Sequence, residues 1–204
     1  MPGPPPSGLR QRKKAATMRH VQETALALFG EDGFDRVTIE QVAEAAEVSP
    51  STVYRYFGTK EGLVLHDEFD DQVLAGLSHY LQQELSPWEA AEAALELIEQ
   101  GHFVIEEAST RTRIQLWFDI PSVRAAAYLT IDGLVDEIAA VMAGTGRWNF
   151  AQARVIASAI VWPVIAALKN WHEAGTEGDW RAHLDEALTA LRESAPVAGR
   201  DTDD

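Results

Sequence analysis

The chain has 204 residues, 46% of them hydrophobic and 24% charged, which is enough apolar material for a buried core and excludes wholesale disorder. It contains no cysteine, so a disulfide scaffold, a thiolate metal site and a cysteine nucleophile are all excluded. The formal charge of −15, taken whole, argues against a polyanionic partner.

The distribution of that charge argues differently. Residues 1–20 carry Arg10, Arg12, Lys13, Lys14 and Arg19 and no acid. Residues 1–65 balance eight basic against eight acidic side chains, and residues 66–204 hold the whole excess, with 9 basic and 24 acidic. Such a chain can meet a polyanion in one orientation only. On charge alone, a solvated basic tail in front of an acidic globule is the simpler account.

Residues 1–9 are rich in Pro and Gly and read as an extended or disordered tail. They show no apolar segment of the signal-peptide kind, so the expectation is a cytoplasmic protein. Val21, Ala25, Leu28 and Phe29 then form a helical core stripe that ends at Gly30 and Gly33. Ile39, Val42, Ala43 and Ala46 predict a shorter helix, opened by a capping box of Thr38 and Gln41. Ser49 and Pro50 open a third helix that ends at Gly58. A fourth is expected from about Thr59 to Gln83, with Leu63, Phe69, Val73, Leu77 and Leu81 inward.

Ser86-Pro87 starts a helix with Trp88, Ala91, Leu95 and Ile98 on one face. Another begins near Thr110 and stops before Pro121, and the next runs from there to Gly144. Asn149 caps a helix to Ala174, and a last one spans Asp179 to Glu193 with Trp180, Leu184, Ala187, Leu188 and Leu191 in register. The class is all-α, with about nine or ten helices. The expected division is a tail (1–9), a helix-turn-helix DNA-binding domain (10–58), a larger helical ligand-binding and dimerisation domain (59–194) and a disordered C-terminal tail (195–204).

Residues 38–57 have the size of a helix-turn-helix. At about 100° per residue, Val53 and Phe57 point one way while Ser51, Thr52 and Arg55 centre on the opposite side, with Tyr54 and Tyr56 on the flanks. Two short hydroxyls let a helix approach base edges, an Arg can pair with guanine, and phenols reach phosphates on either side. Thr38 and Lys60 stand where helix ends could meet phosphate as well. Taken singly, each of these residues could be an ordinary half-buried or solvated side chain.

Together they form a pattern. The stretch from Arg19 to Leu65 reads Val21-x3-Ala25-x2-Leu28-Phe29-x3-Gly33-Phe34-x3-Thr38-Ile39-x2-Val42-Ala43-x2-Ala46-x-Val48-Ser49-x2-Thr52-Val53-Tyr54-x-Tyr56-Phe57-x2-Lys60-Glu61-x-Leu63. It closely resembles the DNA-binding domain of the tetracycline-repressor (TetR) family. The resemblance implies a dimeric transcription factor, usually a repressor, that a small molecule releases from its operator. By the family pattern Thr38, Ser49, Ser51, Thr52, Tyr54, Tyr56 and Lys60 touch DNA. One residue departs from it: Glu47 stands where the family usually has glycine, a strained position if its φ is positive. The basic residues 10–14 are expected to lie along the DNA backbone or enter the minor groove.

The longest apolar run, Val155–Leu168, is 14 residues broken only by Ser158, too short to span a bilayer. It is apolar on all sides, so a second subunit is expected to cover one face, giving a homodimer through the last two long helices, about 149–174 and 179–193. Trp180 and Leu191 are expected to complete that surface. All six tryptophans lie after residue 87. Phe103, Trp117, Phe118, Tyr128 and Trp162 are expected, with the family resemblance, to line a ligand pocket, and a kink at Pro163 offers it a place to open.

Arg111, Arg113 and Arg124 could attract the head of an anionic ligand, although pairing with Glu106, Glu107 or Asp119 is the simpler account. The segment from Arg111 to Arg124 is also similar to C-terminal domains of TetR relatives described as binding acyl-CoA-like ligands, which implies an amphipathic effector. His66 and Asp70 have the i, i+4 spacing of a metal pair but lie in an acidic surface stretch. No metal, cofactor or catalytic site is expected. The competing class is a helical small-molecule-binding protein without DNA function.

Overall fold

The computed structural model describes residues 9–66, 70–99 and 107–194. Among them the protein forms ten α-helices, one 3-10 turn and no strand, in agreement with the all-α expectation. In chain order they are α1 (Leu9–Asp32), the 3-10 turn (Phe34–Arg36), α2 (Ile39–Ala45), α3 (Pro50–Phe57), α4 (Gly62–Leu65) and α5 (Asp70–Gln82). Then come α6 (Pro87–Glu99), α7 (Glu107–Asp119), α8 (Pro121–Gly144), α9 (Phe150–Glu173) and α10 (Trp180–Ser194).

The helix starts obey the sequence signals. Thr38 and Gln41 exchange side-chain and backbone hydrogen bonds across the first turn of α2, at 3.2 and 2.8 Å. Asn149 and Gln152 do the same for α9. At α6, the Ser86 hydroxyl and amide both donate to Glu89 Oε2, which holds that carboxyl below the usual carboxylate range.

Three boundaries differ from expectation. α7 begins at Glu107 and not near Thr110. α1 begins at Leu9, so Arg10, Arg12, Lys13 and Lys14 belong to a helix and are not an extended arm. Residues 9–20 contain neither Gly nor Pro and are rich in Leu, Arg, Lys, Gln and Ala, all strong helix formers. The single fourth helix is not continuous either. α4 is one turn that closes at His66, whose backbone is extended (φ −61, ψ 127). The carbonyls at this end find partners on other helices: Gln22 of α1 donates to Leu63 and His66, and Arg113 of α7 donates to Val64 and His66. Phe69 lies outside the described residues.

Three apolar clusters build the interior. The first joins α1 to α4 around Val21, Phe29, Val42, Val53 and Leu63, and meets Val123 of α8. The second packs α5 and α6 onto α8 and α9 around Leu77, Leu81, Ala139 and Met142. The third closes α7, α9 and α10 around Phe118, Trp171, Trp180 and Leu184. α9 is, among the described helices, the one long and apolar enough to cross a membrane, because its helical ends extend the 14-residue run. It packs against α8 and α10 here, and only a third of its most apolar stretch is buried. It also runs helically through Pro163.

Candidate nucleic-acid interface

The α2–α3 turn is closed by backbone hydrogen bonds. Val48 N–H donates to the Ala43 carbonyl at 2.9 Å and Glu47 N–H to Glu44 at 3.1 Å. This is the Schellman arrangement, which requires a left-handed residue after the helix. That residue is Glu47, with φ 55, so the conditional strain read from the sequence is present. Ser49 then caps α3 by accepting from Thr52 N–H at 3.3 Å, and Pro50 fills the first helical position.

α3 presents the expected faces. Val53 and Phe57 are buried, while Ser51 and Arg55 are exposed and Tyr54 is 48% exposed. Thr52 and Tyr56 are half-buried. The hydroxyls of Ser51 and Thr52 both lie 2.9 Å from Ser49 Oγ, which gathers three small polar groups at the helix start. Tyr54 reaches back to Glu40 of α2, and the Arg55 guanidinium lies over the Tyr56 ring, 4.8 Å from its centroid. Lys14 of α1 stands 5.6 Å from the centroid of the same ring, which sets this cation of α1 beside α3.

The position of α3 depends on the segment C-terminal to it. A Cβ on Gly62 would stand 2.0 Å from the Phe57 carbonyl oxygen, so only glycine lets α4 begin this close to the end of α3. Lys60 is turned inward: its ammonium donates to the carbonyls of Phe34 and Val37 at 2.5 and 2.9 Å and covers the Phe34 ring. It ties the 3-10 turn to α4 and so holds the start of α2 and the exposed Thr38. Sequence spacing places a cation near a helix end but cannot tell a phosphate from a carbonyl as its acceptor.

A cavity of about 230 Å³ lies between α4, α7, α8 and α9, with Val73, Leu95 and Trp180 contributed by α5, α6 and α10. Its lining is apolar apart from Thr110, Arg113, Thr130 and the indole groups. Of the five aromatic residues expected to line a pocket, Trp117 does so. Phe118 is absent from the lining and packs in the third core cluster. Tyr128 and Trp162 lie away from this cavity: they stand 45% and 46% exposed, with rings 6.0 Å apart. Phe103 lies outside the described residues. Trp180, expected at a dimer surface, is buried in its own subunit and lines the cavity; the side chain of Leu191 lies outside what is described.

The arginines of α7 also find partners other than carboxylates. Arg113 donates Nε and one terminal nitrogen to the Val64 and His66 carbonyls, each at 3.0 Å, and Arg111 lies 5.2 Å from the centroid of the Trp171 ring. No group of three or more metal-ligating side chains occurs among the described residues.

Comparison with known proteins gives consistent results. Residues 22–66 match the family model described as bacterial regulatory proteins, tetR family, and residues 85–196 match the one described as MftR C-terminal domain. The HTH-type transcriptional regulator TcmR of Streptomyces glaucescens is 43% identical over 72 residues, covering 34% of this chain and 32% of that protein. The putative mycofactocin biosynthesis transcriptional regulator MftR of Mycobacterium tuberculosis is 23% identical over 167 residues, covering 78% and 82%. In fold, the chain is similar to NalD, the secondary repressor of the MexAB-OprM multidrug efflux pump in Pseudomonas aeruginosa. The TM-score is 0.58 at 17% identity, over 92% of this chain and all of that one.

Proposed function

The chain belongs to the TetR family of bacterial regulatory proteins, and on that footing we propose that it is a transcriptional repressor which grips a palindromic operator as a homodimer and lets go when a small apolar or amphipathic molecule binds. The observation that carries this reading is the open face of α3, where Ser51, Tyr54 and Arg55 are exposed on a helix anchored by Val53 and Phe57. Ser49, Ser51 and Thr52 approach the base edges, Arg55 reads guanine, and Tyr54, Tyr56 and Thr38 meet phosphates. The role proposed for Lys60 is to fix the start of α2, because carbonyls already engage its ammonium. The DNA-binding unit, 10–58 by sequence, extends to His66 on the packing of α4, and the rest to residue 194 serves ligand binding and dimerisation.

The dimer reading rests on α9. Val155, Ala159, Trp162 and Ala166 repeat at i, i+4, i+7 and i+11, all exposed, beside Ala187 and Ala190 of α10. A two-fold partner covers this face with its own α9 and α10 and places two copies of α3 about 34–36 Å apart, one turn of DNA. The cavity receives the effector, and a ligand that binds better to a splayed pair moves the population off the operator. Such a protein works in the cytoplasm and needs no catalytic group or cofactor.

Mobility shift with a duplex selected by the protein from a random pool tests the central reading. Arg55→Ala should weaken binding by about 1–3 kcal/mol and relax preference at one base position. Unchanged affinity removes Arg55 from the interface, and a wild-type protein that selects no duplex leaves only ligand binding.

A further inference from the structure

The joint between the two halves of the molecule lies inside the cavity wall. Val64 and Leu65 of α4 line the cavity, and so does Arg113 of α7. Arg113 is the only charged side chain among the described residues that line it. The same guanidinium donates to the Val64 and His66 carbonyls, at 3.0 Å each, where α4 gives way to extended backbone. Gln22 of α1 holds the Leu63 and His66 carbonyls from the opposite side, at 3.1 and 2.7 Å. Four hydrogen bonds therefore bracket the end of α4, two from the helix that carries the basic face and two from the cavity.

We propose that Arg113 is the residue through which the cavity reports its contents: it latches the end of α4 when the cavity is empty and is drawn off by the acidic group of an amphiphilic ligand. This rests on the ligand-responsive reading above and specifies its chemistry. A carboxylate offers a guanidinium two charged acceptors in the geometry of its fork, and such bonds are roughly twice as strong as those to neutral carbonyls. The apolar walls bind the rest of the molecule. Once Arg113 turns away, the Val64 carbonyl loses its guanidinium donor and the His66 carbonyl keeps Gln22 alone, so α4 must shift to hydrate the Val64 carbonyl or find it another donor. α4 packs in the same core as α2 and α3, so the shift reaches the DNA-reading face. A neutral ligand of equal apolar size has nothing to offer Arg113 and fills the cavity without unlatching it.

Backbone amide exchange of Leu63–His66 in the full chain, with decanoate and with decan-1-ol as probes, decides the matter. Decanoate should bind and raise exchange at these amides tenfold or more, while decan-1-ol should not. Arg113→Leu should show the raised exchange without ligand, gain nothing further from decanoate, and bind selected duplex at least tenfold more weakly. Gln22→Ala should loosen the same amides and leave decanoate affinity at the wild-type level. Decanoate that fails to bind, binds without changing exchange, or is matched by decan-1-ol overturns the proposal, as does an Arg113→Leu protein with wild-type exchange. If that variant loses protection across α8 and α9 it has misfolded, and the two probes on the wild type give the answer alone. A wild-type protein that binds no duplex defeats the repressor reading, while the exchange result still judges Arg113.

Discussion

Glu47 occupies the left-handed position that ends α2, with φ 55. A side chain there costs roughly 1–2 kcal/mol, because Cβ crowds the following carbonyl. Glycine removes the crowding and returns part of the gain through the greater freedom of the unfolded chain. Glu47→Gly should therefore stabilise the protein by about 0.5–1 kcal/mol, visible as a higher thermal midpoint. It should also tighten DNA binding, since an exposed carboxylate near the proposed phosphate track is removed. A midpoint that falls would mean that the carboxylate makes a compensating contact. The departure itself is plain in the sequence; that it is tolerated depends on the two backbone hydrogen bonds of the turn, which bind whatever side chain stands there.

α9 shows that a sequence can define an element without defining its surroundings. Its all-round apolar character calls for cover on every side, and the subunit supplies part of it: Ala153, Ala157 and Val161 pack in the second core cluster with α5, α6 and α8, and Leu168 in the third with α7 and α10. Val155 remains 71% exposed and Trp162 46%. Periodicity by itself does not place Trp162, because an aromatic ring in an apolar run looks the same whether it faces a cavity or a partner. α10 turns its large side chains, Trp180, Leu184 and Leu188, into its own subunit, and offers alanines outward. Placing a charge at the centre of the open face should break the dimer. Trp162→Glu should cost about 3 kcal/mol or more of association by burying an unpaired charge, and should sediment as a folded monomer at concentrations where the wild type is dimeric. If its sedimentation matches the wild type, another surface forms the dimer.

At the scale of the whole molecule the question is how a chain of charge −15 meets DNA. The excess lies after residue 65, and Lys14 of α1 lies beside α3. Replacing Arg10, Arg12, Lys13 and Lys14 by Gln should weaken binding to all duplexes alike. It should also flatten the dependence of log affinity on log salt by about 0.9 for each phosphate left without its cation; fluorescence anisotropy over a salt series measures it, and an unchanged slope would take α1 off the backbone. Local rules settled much of this molecule in advance. Helix starts, the capping boxes, the inward Val53 and Phe57 and the outward Arg55 are dictated by neighbours a few residues apart, and periodicity and caps express such short-range forces directly. What periodicity could not supply is which apolar faces meet a core, a cavity or open solvent, and which acceptor a long cation finds. Lys60 on two carbonyls, the early end of α4 under Gln22 and Arg113, and Trp162 outside with Trp180 inside are outcomes of contacts between segments tens of residues apart. Those contacts exist only once the helices have packed.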